Sequence, residues 1–309
     1  MSDSMQPAVL ERPRMPTELS QLSFEVIAGD YGRPDNQPAN CTLVKGRREA
    51  LLVDAPLGRA DAHRLIARIL DTGLKLHTIF ITHDHLDHFF GLDLLIETFP
   101  KAAVVSHSVV VADIKRSISL KFDGLAESER MGANGPWRGV VPTPLCIDHI
   151  RLEGHKLQIL GPMQGNHVHA TALWDPRTGT LIAGDLLYNG VFAVLGEHRP
   201  AQCDAWLESL DYLESLRPKR VVAGHSKPGL PDDDKAIDWT RGYIRDLMKF
   251  ARSTGSPTEM AEMLRASYPD AIGSPGSQFL LEVPTQIAMG EIEPRDEGRE
   301  LSPASIPVA

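Results

Sequence analysis

Three histidines and two aspartates crowd the end of an apolar run at Thr78–Thr82. These polar residues are His83, Asp84, His85, Asp87 and His88. Burying so many polar side chains without partners would cost several kcal/mol, so core packing does not explain them. His83 and His85 are two residues apart at a predicted strand end, where alternate side chains point the same way and can share one metal ion. Asp87 and His88 follow where the chain turns toward a helical run, and we interpret them as ligands of a second ion.

A site for two ions needs ligands from distant parts of the chain, and three polar positions border apolar runs. His167 and His169 precede the predicted strand Thr171 to Trp174. Asp185 follows the run that ends at Ala183, and His225 follows the run Val221 to Gly224. A carboxylate at the end of an apolar strand could bridge two cations with its two oxygens. Together with the histidine-rich segment, these positions predict a dinuclear metal site.

Apolar runs and helical periodicities indicate the elements that must position these residues. Helical faces are predicted around Leu65 to Leu70, Trp206 to Leu216 and Ile237 to Phe250. Strands are predicted at Phe24–Ile27, Thr42–Lys45, Ala50–Val53, Thr78–Thr82, Ala102–Ser106, Leu157–Leu160, Thr171–Trp174, Leu181–Ala183 and Arg220–Ala223. A run of strands followed by strands that alternate with helices fits sheets covered by helices.

The chain divides into one large domain and two extensions. Residues 1–20 and 271–309 are rich in proline, charge and small residues, so we predict an N-terminal and a C-terminal extension. The domain then covers residues 21–270. Glycine and proline interrupt the helical rhythm over residues 115–154, which predicts a lid or insertion.

Composition excludes several classes of protein. Lys and Arg number 32 against 41 Asp and Glu, a formal charge of −9, so the basic excess that nucleic-acid binding requires is missing. No apolar stretch is long enough to cross a bilayer or to form a signal peptide. Three scattered cysteines argue against a disulfide framework and suit a reducing compartment. We therefore expect a cytoplasmic protein with a small-molecule substrate, no nucleic-acid or membrane partner, and an unspecified oligomeric state.

The motif order resembles that of the metallo-β-lactamase-fold hydrolase superfamily. It consists of Thr82-His83-Asp84-His85-Leu86-Asp87-His88, a histidine after Gly165, then Gly184-Asp185 and Gly224-His225. The resemblance extends from about Phe24 to Gly229. It implies an α+β fold, a four-layer αββα sandwich with a metal site in a cleft at one edge of the two sheets.

The resemblance also implies a ligand set and a cofactor. His83, His85 and His167 would hold one ion, Asp87, His88 and His225 the other, and Asp185 would bridge both. His167 is preferred to His169 because it lies four residues before Thr171, although the usual Gly-His-Thr pattern is absent. Zinc is the usual metal, and iron or manganese also occurs. Some true β-lactamases have a cysteine where this chain has Asp87, so the chain resembles the Asp-containing branch, which includes lactonases and glyoxalase II.

By this resemblance, a water bridging the two ions would attack an ester, lactone or β-lactam-like amide carbonyl. Asp87 could orient that water or move a proton. Tyr188, three residues after Asp185, is either a substrate contact that assists catalysis or an aromatic residue packed beneath the cleft. The alternatives are a thioesterase of glyoxalase II type and a sulfur dioxygenase with a single iron.

Overall fold

Two β-sheets lie face to face, and helices cover the outer side of each. The computed structural model describes residues 21–29, 38–127, 138–195, 200–271 and 279–293. The first sheet has six strands in chain order: β1 (Ser23–Ala28), β2 (Asn40–Lys45), β3 (Glu49–Val53), β4 (Lys75–Ile81), β5 (Ala103–His107) and β6 (Thr143–Leu145). The strands β1 to β3 pair antiparallel, and β3 to β6 pair parallel.

The second sheet is mostly antiparallel and has five strands in the order β12-β10-β9-β8-β7. These are β7 (His149–Leu152), β8 (His155–Met163), β9 (Ala170–Asp175), β10 (Thr180–Ile182) and β12 (Arg220–Val222). Only β10 and β12 pair parallel. The short strands β11 (Tyr188–Asn189) and β13 (His225–Ser226) form a separate parallel pair beside the second sheet's strand ends.

Seven helices lie within the described ranges. Three accompany the first sheet: α1 (Arg59–Asp71), α2 (Leu92–Thr98) and α3 (Ser108–Glu127). Four accompany the second: α4 (Pro200–Ser215), α5 (Lys235–Ser253), α6 (Pro257–Ser267) and α7 (Phe279–Ala288). None of the described helices combines the length and apolarity needed to cross a membrane.

The sandwich follows from strands that are apolar on both faces. In β2 and β3, Leu43 and Leu52 face the helices of the first sheet, whereas Val44 and Leu51 face the second sheet. Strands buried on both sides need continuous apolar runs, because alternate residues point to opposite faces. The layer between the sheets is completed by residues such as Phe80 and Leu173. The expected four-layer αββα sandwich is confirmed.

The segment 115–154 contains more regular structure than the sequence suggested. Its first 13 residues belong to α3, and β6 and β7 lie in its second half. Glycine and proline in this segment predicted a break, and the helix escaped prediction because α3 buries Ser117 and Lys121 on the same side as Val110 and Ile114, which disguises the apolar face. Residues 128–137 lie outside the described residues, and a lid function stays a prediction.

The C-terminal boundary at residue 270 needs correction. Helix α7 packs on α5 and α6, and Leu281 belongs to the core cluster that contains Trp206 and Ile244. Residues 279–288 are therefore part of the domain and not a tail. The predicted N-terminal extension, residues 1–20, lies outside the described residues.

Trp206 of α4 anchors the helical layer to the strand-end loop, since its Nε1 donates a hydrogen bond to the Leu186 carbonyl at 3.0 Å. The side chain is fully buried. We expect Trp206→Ala to lower the free energy of unfolding by about 3–5 kcal/mol, measured by urea denaturation, because it leaves a large cavity. Tyr212→Ala, at an exposed position of the same helix, should change it by less than about 0.5 kcal/mol. A Trp206→Ala protein as stable as the wild type would contradict this packing role.

Candidate metal centre

The ends of four strands from both sheets deliver the predicted site residues to one edge of the sandwich. Strand β4 runs into the segment 82–88, and β10 and β12 run into Asp185 and His225. The loop between β8 and β9 carries His167. The two sheets are joined here directly, because Thr171 donates through both its backbone N–H and its Oγ1 to the Thr82 carbonyl, at 3.0 and 2.6 Å.

Asp185 is the buried carboxylate around which the histidines gather. Its Oδ1 lies 3.0 Å from Nε2 of His88, and its Oδ2 lies 3.3 Å from Nε2 of His225. The Nε2 atom of His83 is 3.7 Å from Oδ2. Both carboxylate oxygens therefore face imidazole nitrogens, as a bridging carboxylate requires.

Close backbone packing sets the position of Asp185. Gly184 has a positive φ of 52°, and a Cβ atom on Gly224 would lie 2.0 Å from Oδ1 of Asp185. Only glycine permits both the left-handed turn and this approach. The glycines of the Gly184-Asp185 and Gly224-His225 pairs are therefore explained by steric constraints.

Asp54 contacts the Nδ1 edge of the His88 ring, whereas Asp185 contacts Nε2. Its Oδ2 is 2.8 Å from Nδ1 of His88, while Oδ1 accepts from the Thr82 backbone N–H at 2.8 Å. Because Asp54 fixes the Nδ1 side of the ring, Nε2 is directed at Asp185. Asp54 also has a positive φ of 65°, where non-glycine residues are uncommon.

A relay through Thr82 fixes the tautomer of His83. The Thr82 hydroxyl donates to Oδ2 of Asp54 at 2.9 Å, so its oxygen accepts from Nδ1–H of His83, also at 2.9 Å. Nε2 of His83 then carries the lone pair, is fully buried, and has no hydrogen-bond partner among the described residues. A buried acceptor of this kind, next to a carboxylate, fits a metal ligand.

His225 is oriented in the same way. Its Nδ1 donates to the Pro38 carbonyl at 3.1 Å, so Nε2 points to Asp185 and to Oδ2 of Asp87, which is 3.3 Å away. The Nε2 atoms of His225 and His88 are 3.3 Å apart.

The electrostatics of the cluster favour a cation. Burial disfavours the charged imidazolium, yet Asp185 and Asp87 raise the pKa of His225 to about 9. Against the same effect of burial, Asp185 and Asp54 raise the pKa of His88. Burial and the neighbouring His88 lower the pKa of His83, which keeps it neutral. Carboxylates that raise these pKa values also stabilise a bound divalent ion.

Two further predicted residues, His85 and Tyr188, border the cluster. His85 stands 4.9 Å from His83 between ring centroids, and its Nδ1 is 2.8 Å from Nδ2 of Asn166. Tyr188 is fully buried, donates from Oη to Oδ2 of Asp185 at 2.7 Å, and stacks on the His225 ring at 5.4 Å. This position agrees with packing beneath the cleft, and the hydrogen bond also fixes the Asp185 carboxylate.

The two candidates for the third histidine occupy different surroundings. His167 is fully buried, with its ring centroid 5.8 Å from that of His85. His169 is partly exposed and pairs with Asp113 of α3, Nδ1 to Oδ2, at 2.7 Å. The contacts support His167, and the choice stays a prediction.

Three groups of donor atoms are close enough to hold an ion within the described part of the chain. They are His83, His88 and Asp185; Asp87, His88 and His225; and Asp113, His167 and His169. The first two groups bring together Asp185, His83, His88, His225 and Asp87, with His83 and His88 in one group. The donor atoms of His85 and His167 are not part of the first two groups.

Sequence reasoning missed Asp54 and Asn166. Asp54 ends the apolar run Leu51 to Val53, the same signal that identified Asp185. Asn166 is fully buried, and its Nδ2 lies 2.7 Å from Oδ2 of Asp185 and 3.1 Å from Oη of Tyr188. No sequence signal distinguished Asn166 from an ordinary loop residue.

A family model described as the metallo-beta-lactamase superfamily matches residues 34–225, which include every predicted ligand. The chain belongs to this superfamily. Its members are mostly metal-dependent hydrolases, and this member carries His/Asp groups able to bind metal.

Curated relatives of this superfamily member include YobT of Bacillus subtilis (strain 168), an uncharacterized protein. It is 30% identical over 210 residues, covering 62% of this chain and 84% of the relative. A hydroxyacylglutathione hydrolase of Synechococcus is 31% identical over 205 residues, covering 66% of this chain and 64% of that enzyme.

Solved structures show the same fold. A metallo-beta-lactamase family protein of Thermus thermophilus superposes with a TM-score of 0.59 at 23% identity, covering 85% of this chain and 92% of the other. A metallo-beta-lactamase of Pontibacter korlensis gives a TM-score of 0.55 at 17% identity, covering 74% of this chain and 97% of the other.

Gly224 offers a test of the packing around Asp185. We expect Gly224→Ala to lower the free energy of unfolding by about 1–3 kcal/mol, because the added Cβ overlaps the Asp185 carboxylate. Chemical denaturation in the presence of a chelator measures this effect without any contribution from metal. Gly242→Ala in α5, where the nearest atom is 3.5 Å away, should leave stability unchanged or increase it. Equal stabilities for the two variants would refute the close approach.

Proposed function

We propose that the chain is a dinuclear metal-dependent hydrolase that opens a carboxylic ester, lactone or β-lactam-like amide. The observation that carries the proposal is the convergence of His83, His88 and His225 on both oxygens of buried Asp185. Membership of a superfamily composed mostly of metal-dependent hydrolases supports it.

The proposed ligands divide into two sets that share Asp185. His83, His85 and His167 would hold one ion, and Asp87, His88 and His225 the other. Zinc is the preferred cation, and iron or manganese suits the same nitrogen and carboxylate donors. When bound, such ions supply a water activated near neutral pH and polarise a carbonyl oxygen.

The protein's own groups prepare this chemistry before substrate arrives. Asp54, Thr82 and the Pro38 carbonyl each contact Nδ1 of one histidine, so the Nε2 atoms of His88, His83 and His225 face Asp185. Asp87 is partly exposed at the cleft, with 21% of its side chain accessible, and is placed to orient a water or accept a proton. Tyr188 holds Asp185 from beneath.

A thioesterase is the second candidate. The hydroxyacylglutathione hydrolase of Synechococcus supports it, as does an atrochrysone carboxyl ACP thioesterase of Aspergillus fumigatus that is 32% identical over 84 residues. That match covers 27% of this chain and 27% of the thioesterase. Parallel assays with an acyl-lactone, a chromogenic β-lactam, an aryl ester and an acyl-thioester would separate the two candidates.

Metal removal tests the proposed function. We expect dialysis against a strong chelator to abolish hydrolysis of the preferred substrate, and added zinc or manganese to restore it. Metal analysis of the active protein should return about two ions per chain. Hydrolysis that survives complete metal removal would refute the proposal, and a single iron per chain would favour the sulfur dioxygenase alternative.

Tyr188 tests the role of the hydroxyl beneath Asp185. We expect Tyr188→Phe to retain both ions and to lower kcat by about tenfold or more, because a hydrogen bond to a buried carboxylate is lost. Tyr243→Phe makes the same chemical change at a buried hydroxyl that has no hydrogen-bond partner in the described structure. That control should keep wild-type turnover. Equal kcat values in both variants would show that the Tyr188 hydroxyl plays no part.

A further inference from the structure

Helix α3 presents one row of polar side chains to the histidine loops. Asp113, Ser117 and Lys121 are spaced four residues apart, so they lie on one side of the helix. All three are buried, Asp113 fully. Burial of a lysine and an aspartate on a helix that covers a sheet requires partners.

The partner of Ser117 and Lys121 is Asp84, the residue between His83 and His85. Ser117 Oγ donates to Oδ2 of Asp84 at 2.8 Å, and Lys121 Nζ lies 3.0 Å from the same oxygen. Lys121 Nζ also donates to the Asp84 backbone carbonyl. Asp84 is fully buried, so α3 holds both its charge and its backbone.

The second oxygen of Asp84 faces the metal centre. Oδ1 is 3.3 Å from Nε2 of His167 and has no hydrogen-bond partner among the described residues. Both groups are fully buried, so solvent does not screen the contact between this oxygen and the ring nitrogen. The other ring nitrogen, Nδ1, accepts a hydrogen bond from the His169 backbone N–H at 3.1 Å. Nε2 is therefore the nitrogen that faces Asp84, and an ion bound there would lie beside the carboxylate charge.

Asp113, one turn earlier on the helix face than Ser117, provides the contrast. Its Oδ2 pairs with His169 at 2.7 Å, and its Oδ1 pairs with Arg116. Two different carboxylates therefore face the two neighbouring histidines: Asp84 faces His167, and Asp113 pairs with His169.

We propose that Asp84, held by Ser117 and Lys121, keeps a buried negative charge beside Nε2 of His167, and that α3 thereby sets the affinity of the ion bound there. The inference rests on the proposed dinuclear ligand set. It gives a specific function to the first half of the segment 115–154. It also assigns His167, and not His169, as the third histidine ligand.

Zinc binding by matched variants tests this proposal. Each protein is equilibrated with zinc buffered by a competing chelator, and bound zinc is measured by elemental analysis across a range of free zinc concentrations. We expect Asp84→Asn to lower the affinity for one of the two ions by about 10- to 100-fold and to leave the affinity for the other unchanged. Asp175→Asn, an equally buried carboxylate at the end of β9 away from the histidines, should keep both affinities.

Ser117→Ala keeps the test decisive if Asp84→Asn does not fold. It removes only the hydroxyl that donates to Asp84, and it should lower the affinity for the same ion by a few-fold. If Asp84→Asn binds both ions with wild-type affinity, the inference is overturned and the proposed function stands. If Asp84→Asn does not fold, wild-type affinity for both ions in Ser117→Ala has the same meaning. A loss in Asp175→Asn as large as that in Asp84→Asn would also overturn the inference. A wild-type protein that binds no zinc would overturn the proposed function as well.

Discussion

The buried charge of Asp185 is the constraint on which the site depends. A carboxylate with almost no solvent exposure must be stabilised by cations or strong donors. Here His88, His225, Tyr188 and Asn166 all lie within 3.3 Å of its oxygens. Burial opposes ionisation, but His225 and His88 hold the pKa of Asp185 well below its usual value. The charge therefore persists and attracts further positive charge to the same point.

The sandwich can hold this buried charge because strand ends from both sheets meet at one edge and bring the histidines to Asp185. Each histidine around Asp185 is fixed by a group outside the cluster, namely Asp54, Thr82 or the Pro38 carbonyl. Such outer contacts set the tautomer and direction of a ligand, and they hold the site preorganised. Helix α3 also holds the segment 82–88 through Asp84, which Ser117 and Lys121 contact.

The sheets and most of the cluster could be predicted from the sequence for a simple reason. Apolar runs that end in Asp185, His225 or the His83–His88 segment are strands that deliver polar residues to an edge. Asp54 had the same signal but does not follow a glycine, as Asp185 and His225 do. The polar face of α3 was missed because Lys121 and Ser117 look solvent-facing until Asp84 is placed beside them. Helix α7 was missed because its Pro284 resembles a helix breaker.

Anomalous diffraction at the zinc edge, from crystals of the protein grown with zinc, tests the bridging role of Asp185 most directly. We expect two peaks on either side of Asp185, about 3.5–4 Å apart as in other two-metal sites. One should be bonded to His88 and His225, and the other to His83. A single peak, or peaks that leave Asp185 without a metal contact, would contradict that role.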